Sequence, residues 1–258
     1  MRLECLGTVG YHPNATRHTS CYLLPESGVL LDAGTGMFRL PPLLRTDELD
    51  ILLSHAHLDH TVGLTFLLDV LYQRPLKKIR IWGQAAKLQA IREHLFHELI
   101  FPVPLSAEWC PIDDRESFPV GSAETGLMAT VRWRVQQHPG GSLAFRIDWA
   151  LNSPPKSLVY ATDTTGDLSA EAIDWAGRPD LLMHECYFRD SAASHAKKTG
   201  HTHASRAAQL AEQISPSQLL LTHINPLEDA EDPIGISTIT DQFPGRVAVA
   251  HDGLSIDF

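Results

Sequence analysis

Four residues of types that commonly bind metal ions stand within one short stretch of the sequence. The run from Ser54 to His60 reads SHAHLDH and contains His55, His57, Asp59 and His60. Imidazole nitrogens and carboxylate oxygens are ligands for zinc and for neighbouring first-row metals. Burying four such groups together without partners would cost solvation free energy. The spacing therefore predicts a metal-binding loop.

Strand and helix patterns flank this loop and indicate how it is held. Residues 50–53 form a short apolar run that predicts a buried strand, and the apolar positions within residues 61–72 predict a helix. Another apolar run, residues 29–31, ends at Asp32 and a glycine-containing turn. The loop is therefore expected where a strand gives way to a helix, so that its imidazoles project from one edge of a sheet.

Alternating strand and helix patterns continue through the rest of the chain. Further strands are predicted at residues 131–135, 143–149, 157–161 and 181–183, and further helices at residues 85–99, 169–175 and 204–214. Residues 101–126, which include several prolines, are predicted to form a loop-rich segment over one face. Because no repeat or linker divides the sequence, we predict a single α/β domain over residues 1–258, with two similar halves packed through their sheets.

Three more candidate ligands stand at predicted strand ends, far apart along the chain. They are His138, Asp163 and His223. Each is a weak signal alone, since Asp163, for example, is equally suited to cap the following helix. Their shared position at strand ends indicates that they meet the histidine loop at one site.

The order of these seven residues resembles that of the metallo-β-lactamase superfamily. The motif HxHxDH, a distant histidine, an aspartate after a strand and a final histidine match over nearly the whole chain. The resemblance implies a four-layer αββα sandwich and two divalent transition-metal ions, with zinc expected and manganese, iron or nickel suited to the same donors. It implies one ion bound by His55, His57 and His138, and another bound by Asp59, His60 and His223. Asp163 would bridge the ions, and Asp32 would support the loop by hydrogen bonding.

Two further motifs narrow the resemblance to the ribonuclease Z and phosphodiesterase branch of the superfamily. Residues 184–187 read HECY and residues 200–203 read GHTH, which are similar to the paired HEAT and GHST elements of that branch. The resemblance implies that His201, positioned by Glu185, acts as a general acid while Asp59 orients the attacking water. Tyr187 and His203 depart from the branch pattern, and these departures leave the substrate open.

Charge and chain length favour a small substrate over an extended nucleic acid. The net charge is -10 and the pI is about 5.7, whereas proteins that bind long polyanions usually present a basic surface. Ribonuclease Z grips transfer RNA with a long arm between its third histidine and its bridging aspartate, but here only residues 139–162 separate these positions. The resemblance therefore implies a metal-dependent hydrolase of a small phosphodiester, such as a cyclic nucleotide or a nucleotide-like diester.

Basic residues near the proposed general acid form a candidate phosphate-docking surface. They are Arg189, His195, Lys197, Lys198, His201 and His203. A solvated loop explains Lys197 and Lys198 equally well. A homodimer would concentrate this loop beside the site, and for that reason a ribonuclease Z-like endonuclease stays an alternative.

Other functions compete with these two. A hydrolase of carboxylic esters, thioesters or lactams would use the same ions to polarise a carbonyl group, but the Glu185 and His201 elements weigh against it. A redox di-iron site would be expected to carry a carboxylate where His57 stands. A metal-binding regulatory protein without turnover is the non-enzymatic alternative, which the full set of ligand-type residues disfavours.

The remaining composition indicates a cytoplasmic protein. The four cysteines are far apart and form no CxxC pair, which suggests free thiols in a reducing compartment. The N-terminus lacks the basic start and apolar stretch of a signal peptide, and no apolar run reaches about 18 residues. We therefore expect no membrane segment.

Overall fold

Two seven-stranded β-sheets form the framework of the protein, for which the computed structural model describes residues 1–150, 154–228 and 231–258. The first sheet contains β1 (Arg2–Gly7), β2 (Cys21–Leu24), β3 (Val29–Leu31), β4 (Glu48–Leu52), β5 (Lys78–Gly83), β6 (Glu108–Pro111) and β14 (Ser255–Asp257). The second contains β7 (Ser117–Ser122), β8 (Leu127–Gln136), β9 (Ser142–Trp149), β10 (Lys156–Ala161), β11 (Leu181–Glu185), β12 (Gln218–Thr222) and β13 (Arg246–Val249). The strand orders are β14-β1-β2-β3-β4-β5-β6 and β13-β12-β11-β10-β9-β8-β7.

The two sheets repeat one design. Strands β3 to β6 are parallel neighbours in the first sheet, and strands β10 to β13 are parallel neighbours in the second. Asp32, which follows β3, and Asp163, which follows β10, both contact His60 after β4. The carboxyl ends of the parallel strands of both sheets therefore meet at one end of the sandwich, which is where open α/β sheets bind ligands.

Apolar layers separate the sheets from each other and from the helices. In β10, Leu158 and Tyr160 belong to the core between the sheets, whereas Val159 packs among the helices of the second half. In β3, Leu31 faces the central core and Leu30 faces the helices of the first half. This alternation follows from the two-residue period of a strand. The layers are helix, sheet, sheet and helix, so the predicted αββα sandwich is confirmed. The prediction of a single domain over residues 1–258 stays a prediction, which this shared core supports.

Two of the helices are shorter than the sequence pattern predicted. The helices are α1 (Leu58–Thr61), α2 (Leu67–Gln73), α3 (Ala85–Ala90), α4 (Ala170–Ala176), α5 (Ala193–Thr199), α6 (Ala204–Ile214) and α7 (Ser237–Thr240). The helix predicted over residues 61–72 is interrupted by a 3₁₀ segment at Val62–Phe66, because the Gly63 amide donates to the Ala33 carbonyl outside the helix. The helix predicted over residues 85–99 changes to a π segment at Ile91–Leu95. Within the described residues, no helix is both long and apolar enough to span a membrane.

The prediction of a loop-rich segment over residues 101–126 is wrong in part, because this stretch contains β6 and β7. Each is an edge strand, one in each sheet. Edge strands tolerate proline, such as Pro119 in β7, since one side of the strand needs no amide hydrogen. Phe118 of β7 is buried in the central core and stacks on Trp82 with ring centroids 4.5 Å apart. The segment therefore closes the edges of the sandwich.

Candidate metal centre

The histidine loop lies directly between β4 and α1. His57 immediately precedes α1, and Asp59 and His60 lie in that helix, where the His60 amide donates to the His57 carbonyl at 3.1 Å. His55 and His60 are buried, whereas His57 is exposed. The loop is short, so its four predicted ligands lie close together. The side chains of its three histidines face His138 and Asp163 of the second sheet.

Three strand-end residues at the centre have an unusual backbone conformation. Asp32 follows β3, Asp163 follows β10 and His223 follows β12, and their φ angles are 55°, 51° and 52°. This left-handed region costs an L residue about 1–2 kcal/mol, although Asp and His adopt it more readily than most. Such strain persists where surrounding contacts over-determine the backbone, and it concentrates at functional sites.

A first group of donor atoms comes from His55, His57, His138 and Asp163. His138 Nε2 lies 3.4 Å from His57 Nδ1 and 3.4 Å from Asp163 Oδ1. His55 Nε2 lies 3.8 Å from the same carboxylate oxygen. Ligand atoms at ordinary bond lengths from a tetrahedral zinc ion lie roughly 3.4 Å apart. The four donor atoms therefore have a spacing suited to one ion.

A second group adjoins the first and comes from Asp59, His60 and His223. His60 Nε2 lies 3.2 Å from Asp59 Oδ2 and 3.2 Å from His223 Nε2. Asp163 Oδ2 lies 3.1 Å from His60 Nε2 and 3.3 Å from His223 Nε2. Asp163 thus turns one oxygen to each group, which is the arrangement that a carboxylate bridging two ions requires.

Asp32 stabilises the histidine loop through hydrogen bonds to its carboxylate. Its carboxylate accepts hydrogen bonds from the Ser54 amide at 2.7 Å, the Ser54 hydroxyl at 2.8 Å and the Tyr160 hydroxyl at 2.7 Å. It also accepts from His60 Nδ1 at 2.8 Å, while His55 Nδ1 donates to the Ser54 hydroxyl oxygen at 3.0 Å. These contacts assign the protons to the Nδ1 atoms and leave each Nε2 lone pair free for a ligand.

Two observations test whether these side chains suit metal ions. His55 Nε2 is buried and has no hydrogen-bond partner among the described residues, which is a costly state for a polar atom. Burial, followed by the nearby His60, lowers the pKa of His55 well below its ordinary value, so the imidazole is neutral and can donate its lone pair. His60 Nε2 and His223 Nε2 face each other although the His60 Nδ1 proton is directed to Asp32. The donor set therefore fits divalent transition-metal ions.

Glu185 and His201 lie beside the second group and contact each other. Glu185 is fully buried at the end of β11, and its two carboxylate oxygens lie 3.1 and 3.2 Å from His201 Nδ1. The same carboxylate accepts from the amides of Thr164 and Thr202 at 2.6 and 3.1 Å, so its position is well defined. Burial opposes protonation of His201, but Glu185 and the nearby aspartates raise the pKa of His201 to about 9.

Tyr187 contacts His201, although the sequence predicted no role for it. Its ring stacks on His201 with centroids 4.6 Å apart and planes inclined by 19°, and His201 stacks in turn on His223 at 5.4 Å. The available signal was a tyrosine in place of the hydroxyl residue of the branch pattern. Because its ring contacts the imidazole face to face, Tyr187 helps to set the orientation of His201.

Gly10 and Lys87 also border the centre, and no sequence pattern pointed to either. A β-carbon on Gly10 would lie 2.1 Å from His223 Cε1, so only glycine lets this part of the chain pass the imidazole. The Lys87 side chain donates to the Gly141 carbonyl in the loop after His138. Only the tertiary structure brings these residues to the site.

The basic residues that the sequence grouped together lie in different surroundings. Lys197, His201 and His203 line one cavity, whereas Arg189, His195 and Lys198 do not line it. Arg189 and His203 each contact a carboxylate, Glu228 at 3.7 Å and Asp190 at 2.7 Å respectively. Docking of a phosphate at these residues stays a prediction.

Comparison with known proteins places this arrangement in a family. A family model described as "Beta-lactamase superfamily domain" matches residues 28–224, a stretch that includes both donor groups. Ribonuclease Z of Haloarcula marismortui is 26% identical over 302 aligned positions, which cover 98% of this chain and 96% of that protein.

Solved structures share the fold. The metallo-beta-lactamase fold protein YhfI from Bacillus subtilis superposes with a TM-score of 0.74 at 21% identity, covering 99% of this chain and 98% of that one. The short form of human tRNase Z superposes with a TM-score of 0.74 at 20% identity, covering 100% and 99% of the two chains. Since the matched stretch spans most of the sequence and carries the whole donor set, the chain belongs to the beta-lactamase superfamily, within which it is similar to ribonuclease Z, and it is a metal-dependent hydrolase.

Proposed function

We propose that the protein is a phosphodiesterase that uses two divalent metal ions to hydrolyse a small diester, such as a cyclic nucleotide or a nucleotide-like compound. The observation that carries this proposal is the short connection between His138 and Asp163. Its described residues lie mainly in β9 and β10, which pair antiparallel, and these described residues form no arm for gripping an RNA. The net charge of -10 also disfavours a long polyanion.

The ligand assignment rests on the two donor groups. His55, His57 and His138 would hold one ion, and Asp59, His60 and His223 would hold the other. The separate contacts of the two Asp163 oxygens support its assignment as the bridge. Zinc is the expected ion, and manganese, iron or nickel suits the same nitrogen and oxygen donors.

The chemistry divides between the ions and the side chains. Two bound divalent ions lower the pKa of water and stabilise charge on the phosphoryl oxygens during an in-line displacement. Asp59 accepts a hydrogen bond from the Tyr11 amide at 2.7 Å, which orients its carboxylate to position the attacking water. Because Glu185 holds His201 Nδ1, the proton for the leaving oxygen is the one on His201 Nε2.

Ribonuclease activity is the second candidate, and the sequence relatives favour it. The Haloarcula relative that aligns over almost the whole chain is a ribonuclease Z. That alignment is longer than this chain, however, so the relative contains residues that have no counterpart here. A smaller chain of the same fold is consistent with a smaller substrate.

Comparison of turnover on different substrates distinguishes the candidate functions. Metal-loaded protein should be assayed with precursor transfer RNA, a small cyclic diester, a linear chromogenic diester, a phosphomonoester, a lactam, a lactone and a thioester, and kcat/KM compared. We expect selective turnover of the small diesters. Efficient, position-specific cleavage of the RNA with negligible turnover of small diesters would contradict the proposal, as would preference for the carbonyl substrates.

The role of His201 has a separate test. Replacing His201 with Ala should lower kcat by about 10²- to 10⁴-fold on diesters with basic leaving groups, because those need a proton most. Turnover of an activated nitrophenyl diester should fall much less, and metal content should be unchanged. His195→Ala, which alters an exposed histidine on α5, is the matched control. Equal losses on both substrates, or loss of metal, would exclude His201 as the proton donor.

A further inference from the structure

A cavity of about 580 Å³ lies next to His201, on the helix-covered face of the second sheet. Its floor comes from the sheet and its walls from α4, α5 and α6, with Val159, Leu182 and Trp175 among the lining residues. None of the seven assigned ligand residues lines it, although His201, which does, offers a ring nitrogen within 4.8 Å of donor atoms of Asp163 and His223. This space is therefore distinct from the metal centre, although the two share His201 as a wall.

Small residues explain why the helices leave this space open. The residues that line the cavity without filling it are Ala144, Ala161, Ala172, Ala176 and Ala193. Leucine-sized side chains at such positions would fill the gap between helix and sheet, as they do elsewhere in this layer. The volume is within the range of small-molecule pockets.

One polar atom on a side chain that lines the cavity points to a ligand with hydrogen-bond donors. His184 is 3% exposed and lines the cavity. Its Nδ1 donates to the Glu185 carbonyl at 2.7 Å, so its Nε2 carries a lone pair. The hydrogen bonds among the described residues leave that Nε2 without a protein partner. A ligand that offers an N–H group would satisfy it, whereas a purely aliphatic ligand would leave it unpaired.

The rim of the cavity carries charged groups of both signs. Lys197 and Arg206 border it together with Asp167, and Arg134 lies over the Trp175 ring at 5.9 Å while contacting Asp167 at 2.9 Å. A lining that combines an aromatic ring and aliphatic side chains with the His184 acceptor nitrogen suits a planar heterocycle that carries hydrogen-bonding groups.

We propose that this cavity binds the leaving group of the diester, and that the leaving group is a nucleoside whose base enters the cavity and donates an N–H group to His184 Nε2. The inference rests on the proposed phosphodiesterase function. In the reaction the bond between phosphorus and the leaving oxygen breaks, water supplies the new oxygen on phosphorus, and the leaving oxygen takes its proton from His201 Nε2. His201 lines the cavity and also offers a ring nitrogen within 4.8 Å of donor atoms of Asp163 and His223, so a leaving group that takes its proton from His201 lies next to the cavity.

Product analysis tests the orientation. Methyl adenosine 5′-phosphate has two alkyl leaving groups of similar basicity, so its products report which group faces His201. The metal-loaded wild-type protein should release adenosine and methyl phosphate. Ala172→Leu, which adds bulk inside the cavity, should shift the products toward adenosine monophosphate and methanol. Ala170→Leu adds the same bulk at an exposed position of α4, outside the cavity lining, and should leave the ratio unchanged.

Direct binding of adenosine decides the proposal even if no diester is turned over. Calorimetric titration of the same metal-loaded proteins should give an adenosine Kd about tenfold higher in Ala172→Leu than in wild type or Ala170→Leu, whereas ribose should show no such difference. If Ala172→Leu does not fold, Ala193→Leu fills the opposite wall from a less buried position.

The outcomes separate the two proposals. Failure of every phosphodiester to turn over would overturn the proposed function, while adenosine binding that depends on residue 172 or 193 would still support a nucleoside site in the cavity. Absence of adenosine binding, binding that cavity-filling variants leave unchanged, or release of methanol as the main product would overturn the cavity proposal.

Discussion

The two halves of the molecule contribute to the metal centre in different ways. The first half supplies His55, His57, Asp59 and His60 from one loop, and the backbone between β4 and α1 holds them together. The second half supplies single residues after three different strands, and two of them, Asp163 and His223, have left-handed backbones. The first contribution is local, whereas the second exists only when the second sheet has its native strand order.

This difference predicts how strongly substitutions in each half affect metal binding. The loop has several ligands, so losing one should leave the rest in place. Asp163 is alone in contacting both donor groups through its two oxygens, and no neighbouring residue in the described chain duplicates that role. We therefore expect substitution of Asp163 to reduce metal binding more than substitution of a single ligand in the loop.

The largest effect should follow from Asp163→Ala. Both donor groups lose an oxygen, so we expect substantial loss of both ions by elemental analysis and a fall in turnover of about three orders of magnitude or more. His57→Ala, in the loop, should lose one ion and retain most of the other. Asp163→Asn, which tolerates the positive φ and keeps one oxygen, should be intermediate.

Asp148→Ala is a suitable control, because that carboxylate pairs with Arg146 on β9, away from the donor groups. Full retention of two ions in Asp163→Ala would exclude the bridging assignment. Equal metal loss in His57→Ala and Asp163→Ala would remove the contrast between the halves.

A smaller effect is expected from Asp32→Asn, which weakens the support of the loop without removing a ligand. Loss of the negative charge weakens the hydrogen bonds from His60 and, through Ser54, the support of His55. Metal affinity should fall about 10- to 100-fold in a competition titration with a chelator. Asparagine accepts the left-handed backbone, so strain is not added.

Asp50→Asn provides the matched control for this variant. Asp50 is also a buried aspartate, which accepts hydrogen bonds from Arg80, Trp82 and the Gly121 amide. It lies far from the donor groups along β4, so its substitution should lower stability but not metal affinity. If both variants lowered metal affinity equally, the role assigned to Asp32 would be one of general stability.

The smallest effect should come from Tyr187→Ala. Removing the ring releases one side of His201, and a stacked aromatic pair contributes about 0.5–1.5 kcal/mol. Turnover of diesters with basic leaving groups should therefore fall about two- to tenfold, with KM and metal content little changed. Tyr187→Phe keeps the stacked ring and should behave like wild type. A loss in the Phe variant equal to that in the Ala variant would assign the effect to the hydroxyl group instead.

Much of the fold was predictable because strand patterns are local. The runs at residues 29–31, 143–149 and 157–161 lie within β3, β9 and β10, and the helix predicted over residues 204–214 coincides with α6. The misassigned stretches depend on distant contacts. Gly63 bonds to Ala33 and interrupts a helix that its own sequence favours, and β6 and β7 become strands because sheet edges pair with them.

Sequence order alone determined the αββα architecture, the metal-binding loop and the candidate pair of Glu185 and His201, because each is written in neighbouring residues or in one family pattern. Tertiary structure alone decided that the two Asp163 oxygens face different donor groups, that Tyr187 lies on His201, and that small residues leave a cavity beside His201. These features join side chains from separate strands and helices. Their distances depend on strand register and on how the helices pack against the sheet, which local spacing does not specify.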